Sequence, residues 1–431
     1  MISQGLGAFR GRRVLLLQSP VGPFFRRLAD DLRWAGAQVC KINFNGGDTL
    51  FYPRDAISFR GRPDEWPEFL RQVLQERDID VILMFGDCRS VHRAARQVAN
   101  QRGIEVGVFE EGYIRPHYVT LERYGVNGHS QMPRSPIFYL NHEPSRHLPA
   151  LPVEDAFWSS ARWAILYCLA SAICKPLYRH YRHHRSLSLL EVYPWLRGFG
   201  RKWLFALLQR GVAARLRGEL SGRFFLVPLQ VHNDAQILTH SGFDTVSRFI
   251  RHVVRSFADH ADADAHLVIK HHPMDRGHLN YDALIRGCAA EHGLTGRLHY
   301  IHDLHLPTLL QHAKGVVVVN STVGLSALYH NTPLKVCGEA IYDMPGLTFR
   351  GSLKEFWSAA SNFRTDRELF RRFRSYLITH TQLNGNFYKR LDLPGSTAGL
   401  AWPRVVANES TKTLSGEALP GYATKKPTSL P

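Results

Sequence analysis

A chain of 431 residues, 44% hydrophobic and 21% charged, is too long for one compact core and has the composition of a folded globular protein. That excludes a largely disordered chain and predicts two domains of roughly 150–200 residues. The charge is lopsided, since 54 Lys and Arg against 37 Asp and Glu give +17. Such a surplus implies an anionic partner (nucleic acid, an acidic lipid surface or a phosphorylated substrate), and basic charge alone does not choose among them.

In chain order, the first apolar run is VLLL within RRVLLLQSP (12–20). It is too short for a signal peptide and reads as a strand ending in a turn. The expected compartment is therefore the reducing cytoplasm. The six cysteines (40, 88, 168, 174, 288, 337) form no CxxC pair and read as free thiols, with no disulfide framework and no zinc spacing. Residues 24–36 carry apolar positions at helical spacing and end on a glycine, residues 37–44 read as a strand, and NGGD as a turn. Helix 64–78, strand 80–88, helix 90–103 and strand 104–111 follow. This βαβαβαβ rhythm predicts an open parallel sheet with helices on both faces.

Residues 145–220 break the rhythm. They interleave Trp, Tyr and Leu with Arg and His, as in RWAILYCLASAICKPLYRHYRHHR and YPWLRGFGRKWLFALLQR. Two readings stand: amphipathic helices lying on an anionic membrane surface, or a helical linker packed across the two domains. The apolar stretch at 162–178 falls short of the about 18–20 residues that span a bilayer. Metal binding by these histidines is disfavoured, because the arginines among them repel cations.

A second α/β pattern then begins. Strands are expected at 221–231, 265–273, 297–302, 315–322 and in PLKVCG, with helices at 243–261, 280–293, 306–314 and in VGLSALYHN. Helical pieces return over 352–382, and the polar tail from about 404 reads as disordered. The expected organisation is an N-terminal Rossmann-like domain (1–144), a basic aromatic helical segment (145–220), a C-terminal Rossmann-like domain (221–350), C-terminal helices (351–403) and the tail (404–431). Two doubly wound domains define a cleft, and in open α/β sheets ligands sit at the carboxyl ends of the strands.

Loops after strands are therefore where chemistry is sought. In VNSTVGLSAL (319–328), Asn320, Ser321 and Thr322 end a strand and Gly324 lies in the helix start. Hydroxyls and free N–H groups there suit a phosphate, or form a simple N-cap. In IKHHPMDRG (269–277), Pro273 favours an extended exit at His272, beside Lys270 and Arg276. A histidine so placed either assists a phosphate leaving group or sits in a charged surface turn. Gln230 and Asp234 lie in QVHNDAQI, where Asp234 is a nucleophile, a base or a helix cap. The turn in QSPVGPFF lacks GxGxxG and is weak evidence for phosphate. In VFEEGYIRP (108–116), Glu110 and Glu111 point to opposite faces of an extended chain. One is expected to face the cleft as an acid/base, the other to be solvated or paired with Arg115. No DxD, HExxH or other metal-ligand spacing is present, and no helix-turn-helix, RRM, KH or zinc-finger pattern supports nucleic-acid binding.

The stretches FEEGYIRPHYVTLERYGVNGHS, QVHNDAQI, KHHPMDRG, NSTVGLSALYHNTPLKVCGEAIYDMPGLT and THTQLNGNFY together resemble motifs of the capsule polysaccharide biosynthesis/export family of Gram-negative bacteria, over roughly residues 12–390. The resemblance implies a two-domain, GT-B-like glycosyltransferase. Its donor would be CMP-Kdo, used with retention, and it would put the first β-Kdo on an anionic lysophospholipid, lysophosphatidylglycerol. That product starts the poly-Kdo linker anchoring capsule. The resemblance assigns Asp234 as nucleophile, Glu110 (or its neighbour Glu111) as acid/base, and His272, Ser321 and Thr322 as contacts to the CMP phosphate. Lys270, Arg115 and Arg276 are candidates for the Kdo carboxylate. No metal and no cofactor are expected, because a single phosphate can be held by neutral donors. The expected location is the cytoplasmic face of the inner membrane, with other capsule proteins as partners and no nucleic acid. The rival readings are a transferase for CMP-sialate or a UDP-sugar, and a non-catalytic adaptor for glycolipid export.

Overall fold

The computed structural model describes residues 5–145, 149–183, 192–232 and 235–402. Short, continuous apolar runs such as VILMF and FFLVP become strands buried on both faces, as parallel sheets demand. The first lobe contains β1 (Arg13–Leu16), β2 (Gln38–Asn43), β3 (Ala56–Ser58), β4 (Val81–Phe85), β5 (Glu105–Glu111) and β6 (Tyr118–Arg123). The second contains β7 (Phe224–Pro228), β8 (His266–Lys270), β9 (Leu298–Ile301), β10 (Gly315–Val318) and β11 (Leu334–Val336). A last strand, β12 (Gln382–Asn384), returns to the first lobe.

The second sheet has the order β11-β10-β7-β8-β9 and is parallel throughout. The first has the order β12-β6-β5-β4-β1-β2-β3, with β1 to β5 parallel and β6 and β12 antiparallel. Each lobe therefore reverses strand order at one point, β1/β4 in the first and β7/β10 in the second. These are the places where a doubly wound sheet opens a crevice. The expected architecture, two Rossmann-like lobes facing a cleft in a GT-B-like arrangement, is what forms.

Helices cover both faces for the reason their spacing gives. Val246–His260 is capped by Thr245, whose side chain accepts from Arg248 N, and it buries Val246, Phe249, Ile250, Val253, Val254 and Phe257. Each such side chain contributes about 1.5–3 kcal/mol of burial. The C-terminal helix Arg367–Thr381 places Leu369, Phe370, Phe373 and Leu377 in a core that also holds Tyr113, Met132 and Tyr139 of the first lobe and Val316 and Val318 of the second. It leads into β12, so the chain's end ties the lobes together.

Three local expectations change. NGGD is not a turn but the start of a short helix, Gly46–Phe51, whose Asn45 cap accepts from Asp48 N. Its glycines are needed by a neighbour: a Cβ at Gly46 would sit 2.1 Å from Ala170 O, and one at Gly47 would sit 2.4 Å from the Tyr167 ring. The strand carrying Glu110 and Glu111 is not flanked by parallel strands alone, as the rhythm predicted. It pairs antiparallel with β6, placing Glu110 opposite Thr120. β3, three residues long at the sheet edge, is also new.

The 145–220 segment packs on both lobes, partly through polar groups. In Phe157–Ile173, Tyr167 Oη donates to Asp48 and accepts from Asn45 and Gln18. In Val192–Leu208, Arg197 donates to Gly277 O, Arg201 to Arg276 O, and Phe205 stacks on His302. The outward faces are apolar: Trp158 and Trp203 are each 71% exposed, and Ile165, Ile173, Leu204, Leu207 and Leu208 are exposed too. No helix among the described residues is long and apolar enough to cross a membrane. Residues 184–191, which begin at the end of the basic run RHYRHHR, and the tail from 403 lie outside the described residues.

Candidate active site

At the crevice of the second lobe, the β7 and β10 exits lock onto each other. Gln230 Nε2 donates to Asn320 Oδ1 at 3.0 Å, and Asn320 Nδ2 donates to His240 O. The next residues along β7's exit are held by the HP turn. Buried Asp275 accepts from His232 N at 2.6 Å and lies 2.7 Å from His232 Nδ1. Asp234, the expected nucleophile, lies outside the described residues.

His272 has the extended backbone that the following proline favours, and Pro273 opens a single turn of 3-10 helix. His272 Nδ1 accepts from Met274 N at 3.2 Å, so its ring proton is on Nε2. Burial lowers its pKa to about 4, with the Arg115 charge across the cleft adding to the effect against Asp275. His272 is thus a neutral N–H donor across the physiological range. Lys270 and Arg276 are engaged elsewhere. Lys270 is buried with Nζ donating to His302 O. Arg276 grips Asp303 through Nε and a second nitrogen and reaches Gly198 O. The sequence supplies charge but not direction, and both groups already hold partners in the structure.

In the NST turn, Ser321 Oγ accepts from Val323 N at 3.2 Å and Ser321 O accepts from Tyr342 Oη. Thr322 is the helix N-cap residue, but its side chain does not cap. Gly324 is where it is because Tyr342 lies against it: a Cβ there would meet Tyr342 Oη at 2.3 Å. Thr322 and Asn320 border a narrow cavity at the lobe boundary, together with Glu339 and Tyr342 of the second lobe and Tyr113 and Asn127 of the first.

On the first lobe, Glu110 Oε1 accepts from Glu111 N at 3.0 Å. Burial raises the Glu110 pKa to about 7, opposed by the Glu111 N–H and aided by the Glu111 charge. A carboxylate poised there is suited to proton transfer near neutrality. Glu111 points the other way, as alternation requires, but its partner is Tyr388 Oη rather than Arg115. Arg115 folds back, with Nε donating to Gly112 O. A second buried carboxyl, Glu122, is raised to about 7 by burial and accepts from Tyr113 Oη at 2.7 Å and from Ser130 Oγ.

The lobes touch through histidines. His240 packs edge-on against His129 at 4.4 Å between ring centres, and a Cβ on Gly128 would lie 2.1 Å from His240 Nδ1. Buried Asp87 sits 2.9 Å from His129 Nδ1 and 3.2 Å from the Cys88 thiol, which donates to it. One ligand atom each of Cys88, His129 and His240 lies within 4.8 Å of the others. The group is ill suited to a cation, because the Arg96 guanidinium is 3.2 Å from His129 Nδ1. Burial and the Asp87 charge also push the Cys88 thiol up to about 12.

The model of the capsule polysaccharide biosynthesis protein family matches residues 80–388, which takes in every site element above. The chain belongs to this family. It is 44% identical over 386 residues to the Escherichia coli capsule polysaccharide export protein KpsS, covering 88% of this chain and 97% of that one. It is 42% identical over 390 residues to the capsule polysaccharide modification protein LipB of Neisseria meningitidis serogroup B, covering 88% and 93%. Among solved structures, Thermosulfurimonas dismutans KpsC, a β-Kdo 2,7 transferase, aligns at TM-score 0.43 and 15% identity, covering 89% and 94%. A likeness that distant carries no argument about chemistry.

Of the residues singled out in this family member, the structure brings Asn320 and Thr322 to the lobe boundary and sets the Arg115 charge against His272 across the cleft. Glu110 stands close enough to Tyr113, which lines the boundary cavity, to affect its ionisation. Sequence reasoning missed Asn127, Tyr113, Glu122 and the His129–His240 contact. The Asn-Gly pair in RYGVNGHS was the available signal, since it marks a backbone that turns left-handed.

Proposed function

We propose that this protein is a retaining β-Kdo glycosyltransferase that moves the first Kdo from CMP-Kdo to lysophosphatidylglycerol, starting the poly-Kdo linker of the capsule glycolipid. Membership of the capsule biosynthesis family supports the setting. The observation that carries the reading is Glu110, a buried carboxyl on the first lobe raised to about 7; His272, a neutral histidine donor on the second lobe whose ionisation responds to Arg115 of the first, supports it.

In the proposed sequence, the Asp234 carboxylate attacks the anomeric carbon of Kdo while the bond to the phosphate oxygen breaks and CMP departs. His272 Nε2–H and the Thr322 hydroxyl meet the phosphate of the departing CMP. A single phosphate needs no metal when neutral donors converge on it. The acceptor hydroxyl then attacks the same carbon, Glu110 takes its proton, and the Asp234 ester bond breaks. Two displacements restore the starting configuration.

The exposed apolar faces of Phe157–Ile173 and Val192–Leu208, with the +17 charge, support docking on the anionic cytoplasmic face of the inner membrane. A lipid acceptor would be met there, alongside other capsule proteins.

Calorimetric titration with CMP, CDP and UDP tests the donor: CMP is expected to bind best, and tighter UDP binding would remove the Kdo reading. Intact mass after incubation with CMP-Kdo is expected to show one added Kdo, absent in Asp234→Ala. If wild type binds CMP-Kdo but neither forms the adduct nor turns over, the non-catalytic export adaptor replaces the enzyme.

A further inference from the structure

Asn127 is not a glycine, yet its backbone is left-handed, at φ 55. Few side chains adopt that conformation, and where they do the surroundings hold them. Here a buried network does so. Asn127 N donates to Tyr113 Oη at 2.6 Å, Tyr113 Oη donates to Glu122, and Ser130 Oγ donates to the other Glu122 oxygen. The turn is pinned from beneath, while Gly128 alongside leaves room only for the His240 ring.

The fixed residue borders the cavity at the lobe boundary, facing Asn320 and Thr322. The carboxamide of Asn320 is spent on Gln230 and His240 O. That of Asn127 has no hydrogen-bond partner among the described residues. It offers two donors and an acceptor from the lobe opposite the Asn320–Thr322 turn.

We propose that Asn127 is a specificity-determining residue whose carboxamide hydrogen-bonds the polar substituents of the donor's acidic sugar, reading the sugar from the first lobe while the second holds the nucleotide. This rests on the transferase reading above. The competing explanation is purely conformational, because Asn tolerates a left-handed backbone better than most residues. Glycine separates the two: it adopts this backbone freely and removes only the carboxamide.

The experiment measures CMP affinity, melting temperature and kcat/KM for CMP-Kdo in wild type, Asn127→Gly and Asn127→Asp. Asn127→Gly is expected to keep CMP affinity within twofold and its melting temperature, and to lose at least tenfold in kcat/KM. Asn127→Asp, which keeps the shape but places a negative charge against an anionic sugar, is expected to lose more. Wild-type kcat/KM in either variant, with CMP bound normally, overturns the proposal and leaves the transferase reading standing. Wild type that binds no CMP overturns both.

Discussion

Replacing Glu110 by Gln separates its chemistry from its cost to the fold. The raised pKa means that the folded protein holds this proton more tightly than the unfolded chain. Stability from Glu110 is therefore fully present below its ordinary value of 4.5 and is lost as pH rises through about 7. The rise from 4.5 to about 7 corresponds to about 3 kcal/mol at alkaline pH. That is an upper figure, because part of the side chain keeps contact with solvent in the cleft. Gln has the same shape and no proton to lose. Glu110→Gln should therefore lie within about 1 kcal/mol of wild type in urea unfolding at pH 5 and exceed it by up to about 3 kcal/mol at pH 8. Glu122 is present in both proteins and cancels. Activity should move the other way, with turnover falling about 10²- to 10⁴-fold, the usual contribution of a general base. Wild-type turnover should rise with pH through about 7 as Glu110 ionises. Equal stability differences at pH 5 and pH 8 would refute the burial argument, and a fully active Glu110→Gln would refute the acid/base role.

His272, held near 4 by burial, is neutral at both pH 6 and pH 8, so His272→Ala should weaken CMP binding by the same factor at the two pH values. A loss that grows as the pH falls to 6 by calorimetry would mean the ring binds as a cation. Gly324→Ala forces a methyl group against buried Tyr342 and should cost about 1–3 kcal/mol in thermal unfolding; an unchanged melt would show that Tyr342 yields freely. Paired substitutions Trp158→Glu with Ile173→Glu, or Trp203→Glu with Leu207→Glu, remove large exposed apolar groups worth about 1.5–3 kcal/mol each on burial. Each pair should lower binding to anionic vesicles at least tenfold in a flotation assay, and unchanged binding would place the docking face elsewhere.

The doubly wound lobes were legible because parallel strands are continuous apolar runs, and VLLL, VILMF and VVVV announce themselves. β6 and β12 were not, since their pairing partners come from an antiparallel return and from a segment more than 250 residues away. The alternation at Glu110 and Glu111 correctly separated the two carboxyls by face, but Tyr388, 277 residues on, could not be foreseen as the partner of Glu111. Lys270 and Arg276 were singled out by their charge, but their contacts with His302 O and Asp303 are set by tertiary structure and could not be read from the sequence. The Asn127-Gly128 pair carried a local signal for the left-handed backbone, but the contact of His129 with His240, 111 residues on, is a tertiary fact that no local pattern carries.

The transfer reaction itself is the most direct test. Purified protein, CMP-Kdo and defined lysophosphatidylglycerol vesicles should yield a lipid carrying one Kdo, with its β linkage read by NMR and its formation abolished by Asp234→Ala. An α-linked product would contradict retention, and no Kdo–lipid product from a protein that binds CMP-Kdo would contradict the account as a whole.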